Sequence, residues 1–98
     1  MDTFELLLPY LNQARRKRSL ELGQEAVRRA LAQGRCRLLF LAADAGESLR
    51  RMKTGQVPVI ELGDRQRLGD WLGREQVAVL GLTDADLAAG ILKRLRSD

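Results

Sequence analysis

The chain of 98 residues is 45% apolar and carries 17 Lys/Arg against 13 Asp/Glu, for a net charge of +4. That length suits one domain with one core, expected over residues 1–98, and the apolar share excludes a disordered chain. There is no histidine and one cysteine, so the commonest acid–base group and metal ligand is missing, and neither an internal disulfide nor a zinc site can be assembled.

The N-terminal segment places Phe4, Leu7, Leu8 and Leu11 at helical spacing, which predicts an amphipathic helix that Pro9 either kinks or opens as its first turn. Leu20–Leu22 reads as a short strand. Gly23 follows it, and Ala26, Val27, Ala30 and Leu31 form the apolar face of a second helix that Gly34 ends. Arg35 to Ala42 is a near-continuous apolar strand, with Cys36 expected as a small buried residue in it. Asp44 and Glu47 stand at capping-box spacing, which predicts a short third helix through Leu49 and Met52 closed by Gly55.

Val57 to Leu62 is the next strand. Pro58 cannot donate a ladder hydrogen bond, so this strand is expected at an edge. Asp64 is expected to cap a fourth helix through Leu68, Trp71 and Leu72, where Trp71 packs in the core rather than stacking on a base. Gln76 to Leu82 is a third strong strand. Thr83 with Asp86 is expected to cap the last helix, whose apolar positions include Leu87, Ile91, Leu92 and Leu95. Helices alternating with strands apolar on both faces predict an α/β three-layer α/β/α sandwich with a largely parallel sheet.

Candidate chemistry narrows by elimination. Cys36 has no base beside it, no Gly-rich loop with Gly-Lys-Ser/Thr is present, and Asp44, Asp64, Asp84 and Asp86 sit where helices begin. Capping explains those carboxylates better than catalysis, so no enzyme, no metal, no cofactor and no small-molecule substrate are expected. No charged-then-apolar leader opens the chain and no apolar run approaches the ~18–20 residues of a membrane span, which gives a cytoplasmic reading without a membrane partner.

The positive charge is uneven. Residues 1–38 hold eight Lys/Arg against four Asp/Glu, whereas residues 39–98 balance at nine each. The basic part contains Arg15-Arg16-Lys17-Arg18 and then the strand–Gly23–helix unit with Arg28 and Arg29. Free backbone N–H groups at such a helix start attract anions, and basic charge nearby favours polyanions. The same residues read equally as an ordinary Gly N-cap and a solvated face. Arg74, in the glycine turn Leu72-Gly73-Arg74-Glu75-Gln76-Val77, is a further candidate for a phosphate contact.

Ala14-Arg15-Arg16, Leu20-Glu21-Leu22-Gly23-Gln24-Glu25-Ala26-Val27, Leu41-Ala42-Ala43-Asp44-Ala45, Val57-Pro58-Val59-Ile60-Glu61-Leu62, Leu68-Gly69-Asp70-Trp71-Leu72-Gly73 and Val77 to Asp84 occur in that order over nearly the whole chain. This order resembles the family of archaeal and eukaryotic ribosomal proteins that bind kink-turn RNA, and within it the bacterial YlxQ-like branch. The Leu-Gly-x-x-x-Gly element is its fairly specific mark. The resemblance implies a three-layer sandwich around a mostly four-stranded mixed sheet, and a non-enzymatic protein binding structured RNA in a ribosome or translation context.

It also implies a site: Gly23, Gln24, Glu25 and Arg29 as the base-reading core, Arg15, Arg16, Lys17, Arg18, Arg28 and Arg74 along the backbone, and Asp44, Leu72 and Val77 at the rim. The chain departs from the family pattern there. Thr-Asn-Glu after the glycine has become Gln24-Glu25-Ala26, while Arg29 keeps the cation of the family Lys. Glu25 replaces an amide with an acceptor-only carboxylate, and Ala26 brings no side-chain hydrogen-bonding group. Ala-Gly-Lys before the first strand has become Lys17-Arg18-Ser19, and the segment between Asp44 and Val57 is shorter than in the family. These departures keep a second reading in view, a protein-interaction module that docks on a translation or transcription partner.

Overall fold

A computed structural model describes residues 1–97. Among them the order is α1 (Thr3–Arg16), β1 (Leu20–Leu22), α2 (Gln24–Ala32), β2 (Leu38–Leu41), α3 (Glu47–Arg50), β3 (Val59–Glu61), α4 (Arg65–Leu72), β4 (Val79–Leu82) and α5 (Ala85–Arg96). The strands form one sheet in the order β1-β4-β2-β3. β4 runs antiparallel to both β1 and β2, and only β2 and β3 are parallel.

The sheet is therefore mixed, as the family resemblance implies, and not largely parallel, as the apolar runs alone predict. The reason is physical. β2 and β4 are buried at every position because helices cover both faces, and burial on two faces does not depend on strand direction. β3 is an edge strand, so Pro58 loses no ladder bond on its open side; its carbonyl accepts from Leu39 N–H at 2.9 Å.

Register sorts the side chains into two layers, since neighbours in register share a face and the face alternates along each strand. Glu21, Leu39, Leu41, Val79, Gly81 and Val59 share one face. α2 lies there, because a Cβ on Gly81 would stand 3.4 Å from Val27 Cγ2 and 3.3 Å from Cys36 Sγ. Leu20, Leu22, Leu38, Phe40, Leu80 and Leu82 share the other face. The remaining layer joins α1 to α5 by direct contact and α1 to α4 through Phe4, whose ring meets Trp71 edge-on at 5.7 Å. Leu7, Leu11, Leu38, Phe40, Leu68, Leu80, Leu82 and Ile91 are fully buried in the core.

Several local expectations are corrected. Pro9 lies inside α1 and not in its first turn, because Asp2 caps the helix upstream by accepting from Glu5 N–H. α3 starts behind Gly46, and the chain turns between Asp44 and the helix through Ala45 N–H to the Ala42 carbonyl, so Asp44 is not its cap. α3 ends at Arg50 with Arg51 as C-cap, leaving Gly55 in a later turn at φ +61°. Asp84, not Thr83, caps α5 by accepting from Leu87 N–H at 2.9 Å; the Thr83 hydroxyl donates to the Ser19 carbonyl instead. Asp64 does cap α4, at 2.8 Å from Arg67 N–H.

β1 spans Leu20–Leu22 as read from the sequence, whereas β2, β3 and β4 are shorter than their apolar runs, and Cys36 precedes β2 instead of standing in it. The thiol is nonetheless buried, which raises its pKa.

Candidate nucleic-acid interface

Gly23 ends β1 and opens α2 at φ +90°, where side chains other than glycine are strained. Open space surrounds the position of its absent Cβ, so conformation and not crowding calls for the glycine. Its N–H donates to the Val79 carbonyl at 3.1 Å, and its carbonyl accepts from Val27 N–H at 3.0 Å. Asp2, Asp64 and Asp84 close the starts of α1, α4 and α5 with a carboxylate; α2 starts without a side-chain cap. Its first-turn N–H groups are left without a side-chain cap at the positive end of the helix dipole.

The segment opposite Gly23 is held there by Gly69. A Cβ on this buried α4 residue would lie 2.6 Å from the Glu75 carbonyl oxygen and 2.9 Å from both the Arg74 oxygen and Gln76 Cα. The helix thus lets the 74–76 backbone lie directly against it, and Gly73, left-handed at φ +70°, turns the chain into that path. This accounts for the Leu-Gly-x-x-x-Gly spacing: one glycine for close approach, one for the turn. Gly23, Gln24, Arg74 and Val77 then line one cleft of about 210 Å³, with Leu49 and Gln76.

A second link fixes that cleft. Asp44 accepts from Arg65 N–H at 2.9 Å and from its Nε at 3.3 Å, while the Arg65 carbonyl accepts from Val77 N–H at 3.1 Å. The Arg65 amide N–H, joined by its guanidinium, holds the Asp44 carboxyl below the usual range. Asp44 and Val77 are thereby tied through one residue. Leu72 is half-buried at the end of α4.

The other expected residues are placed differently. Glu25, Arg28 and Arg29 are exposed on α2, and the two arginines have no side-chain partner among the described residues. Arg15 to Arg18 precede β1, so Ser19 and the three residues of β1 separate this run from Gly23. Arg15 donates to the Trp71 carbonyl at 2.8 Å with its guanidinium 5.0 Å from the indole centroid, and Lys17 pairs with Asp84. Arg16 and Arg18 are exposed and without such partners. Trp71 is half-buried, its Nε1–H donating to Asn12.

Gln76 and Leu49 belong to the cleft but are absent from the residues expected at it. Gln76 was within reach of sequence reasoning, since it shares the glycine turn that singles out Arg74. Leu49 carried no signal beyond its place on the apolar side of a short helix. No described helix is long and apolar enough to cross a membrane.

Comparison with known proteins gives this geometry its family. A protein of unknown function from Bacillus halodurans is 32% identical, with 92% of this chain and 96% of that chain covered at a TM-score of 0.76. A 15.5 kD RNA-binding protein of Giardia lamblia is 18% identical, with 99% of this chain and 91% of that chain covered at a TM-score of 0.71, and so shares the fold. No curated protein matches the chain. Residues 7–90 match the ribosomal protein L7Ae/L30e/S12e/Gadd45 family, spanning all four strands, Gly23 and the Leu68–Gly73 element. The chain belongs to that family.

Proposed function

We propose that the protein is a non-enzymatic, cytoplasmic RNA-binding protein that recognises structured, kink-turn-like RNA in a ribosome or translation context. One observation carries the reading: the uncapped start of α2 at Gly23 faces the Arg74–Val79 segment across a shared cleft, with free cations on α2. Open N–H groups attract a phosphate, and the neighbouring side chains stand where the edges of unpaired or non-canonically paired bases can be reached. Family membership and the fold shared with an RNA-binding protein support it. Gly23, Gln24, Glu25 and Arg29 read bases in this account. Arg28, Arg74, Arg16 and Arg18 hold the phosphates, while Arg15 and Lys17 act through their contacts with Trp71 and Asp84.

The test is a titration of the full chain with a kink-turn RNA and with a scrambled duplex of equal length at several salt concentrations. Affinity for both should fall with salt at a log–log slope of about −0.7 to −0.9 per phosphate neutralised, with the kink-turn preferred throughout. Arg16→Ala should weaken both RNAs alike and flatten the slope by about one unit or less. Salt-independent affinity, or no binding at low salt, overturns the RNA reading. It would favour a translation or transcription protein as partner, a reading motivated by the exposed Glu25 carboxylate and by Ala26 in the first turn of α2.

A further inference from the structure

A separate groove of about 690 Å³ runs along the C-terminal half of α2, between that helix and the segment that follows α3. Its size falls within the range of about 300–1,000 Å³ usual for clefts that take a small organic group. Leu31, Met52 and Val57 give it an apolar floor, and Arg28, Arg51 and Lys53 stand along its walls with the Ser48 and Thr54 hydroxyls. Among the described residues no carboxylate lines it. Arg28 and Lys53 have no side-chain partner among the described residues. Among the described residues Arg51 is paired only with Glu47, one helical turn back, in an exposed ion pair of the kind that contributes little stability.

An apolar floor beneath three cations is chemistry suited to a base carried on a phosphate backbone. Met52 adapts to any base face, the guanidinium groups grip phosphate oxygens in pairs, and hydroxyls can bond a ribose 2′-OH. The groove also adjoins the cleft at Gly23. α3 is their common wall, with Leu49 on the cleft side and Ser48 on the groove side, where Met52 follows just after the helix. An acidic peptide would also satisfy the cations, but a nucleotide carries its flat base and its phosphate in one unit, matching the apolar floor and the cations with no dependence on peptide sequence.

We propose that this groove holds one unpaired nucleotide flanking the RNA element engaged at Gly23, its base on Leu31, Met52 and Val57 and its phosphates between Arg28, Arg51 and Lys53. The proposal rests on the RNA-binding reading above. It shares Arg28 with the site assigned from the sequence and extends the contact surface across α3 to Leu31, Arg51, Met52, Lys53 and Val57, which lie outside that assignment.

The experiment compares a blunt kink-turn duplex with the same duplex carrying a short unpaired uridine tail on each strand end in turn. One tail should tighten binding to the wild-type chain by about tenfold, as sequence-tolerant base contacts do. The double substitution Arg51→Gln with Lys53→Gln should erase that gain while leaving affinity for the blunt duplex nearly unchanged. A 4-thiouridine in the tail should crosslink to the peptide containing Met52.

Equal wild-type affinity for blunt and tailed RNA overturns the groove assignment and leaves the RNA-binding reading standing. Absence of binding to both at low salt overturns that reading and this one with it. If uridine 5′-monophosphate alone abolishes the crosslink without releasing the duplex, at the same concentration as the tail, the groove is a free-nucleotide site and the proposal fails. It fails too if the double substitution weakens capture of an acidic Glu–Leu peptide but not of tailed RNA.

Discussion

Glu25 concentrates the question of what the α2 start reads. It is exposed in the first turn, with uncapped N–H groups beside it, and a carboxylate there gains from the helix dipole while repelling any phosphate brought to the same place. On the proposed reading, a guanine edge, which offers two N–H donors to one carboxylate, would resolve that conflict. Glu25→Ala should then reduce the preference for a kink-turn over a scrambled duplex by about 1–3 kcal/mol, by analogy with bidentate base readout in DNA. Binding curves of the variant with both RNAs check this, and a uniform tightening towards both would mean that Glu25 only repels. At this scale the sequence is legible where conformation demands one residue type, as at Gly23. It is less legible where a cation is tied elsewhere: nothing in Arg15-Arg16-Lys17-Arg18 tells that Arg15 lies over Trp71 or that Lys17 meets Asp84, because both contacts are made by segments far along the chain.

Element boundaries show why apolar pattern and capping signals succeed in part. The nine elements among the described residues are legible from apolar pattern and capping spacing, yet β2, β3 and β4 are shorter than their apolar runs, because flanking residues such as Cys36 and Val77 are buried without joining a ladder. Asp44 has the spacing of a cap and the chemistry of one, but its oxygens meet an N–H group at the start of α4 rather than α3; a local motif cannot register a competitor that folding brings from 21 residues away. Gly69 is the reverse case, a position whose reason emerges only in three dimensions. Gly69→Ala would drive a methyl group into three backbone atoms of the 74–76 segment, none of which can rotate aside. We expect a loss of about 1–3 kcal/mol of stability from overpacking, read as a lower urea midpoint, together with weaker RNA binding as Arg74 is displaced. Gly73→Ala meets open space, so its cost is confined to the left-handed backbone, about 1–2 kcal/mol. If the Gly69 variant unfolds no more easily than wild type, the close approach is not what orders this loop.

Across the whole molecule, three carboxylates fasten one end of an element to another. Asp2 meets Arg67 between α1 and α4, Asp44 meets Arg65, and Asp84 meets Lys17 between α5 and the end of α1. The pKa of Asp2 is lowered chiefly by the Arg67 side chain, that of Asp44 by the Arg65 amide N–H and that of Asp84 by the Lys17 ammonium. In each case the folded value lies below the unfolded one, so the unfolded chain binds more protons across that window and stability rises with pH through it. The urea midpoint should therefore hold steady down to about pH 5 and fall below about pH 4, as these groups protonate. Replacing all three by Asn should lower the plateau and flatten the acid limb, whereas an acid limb equally steep in that variant would assign it to other carboxylates. Arg65 has a further consequence. By holding Asp44 through its N–H and Val77 through its carbonyl, it joins the turn after β2, the start of α4 and the Val77 side of the cleft before any ligand arrives. On the RNA-binding reading proposed above, the work of bending would fall on the RNA, and the speed of association would follow how often the RNA visits its bent form rather than any rearrangement of the protein.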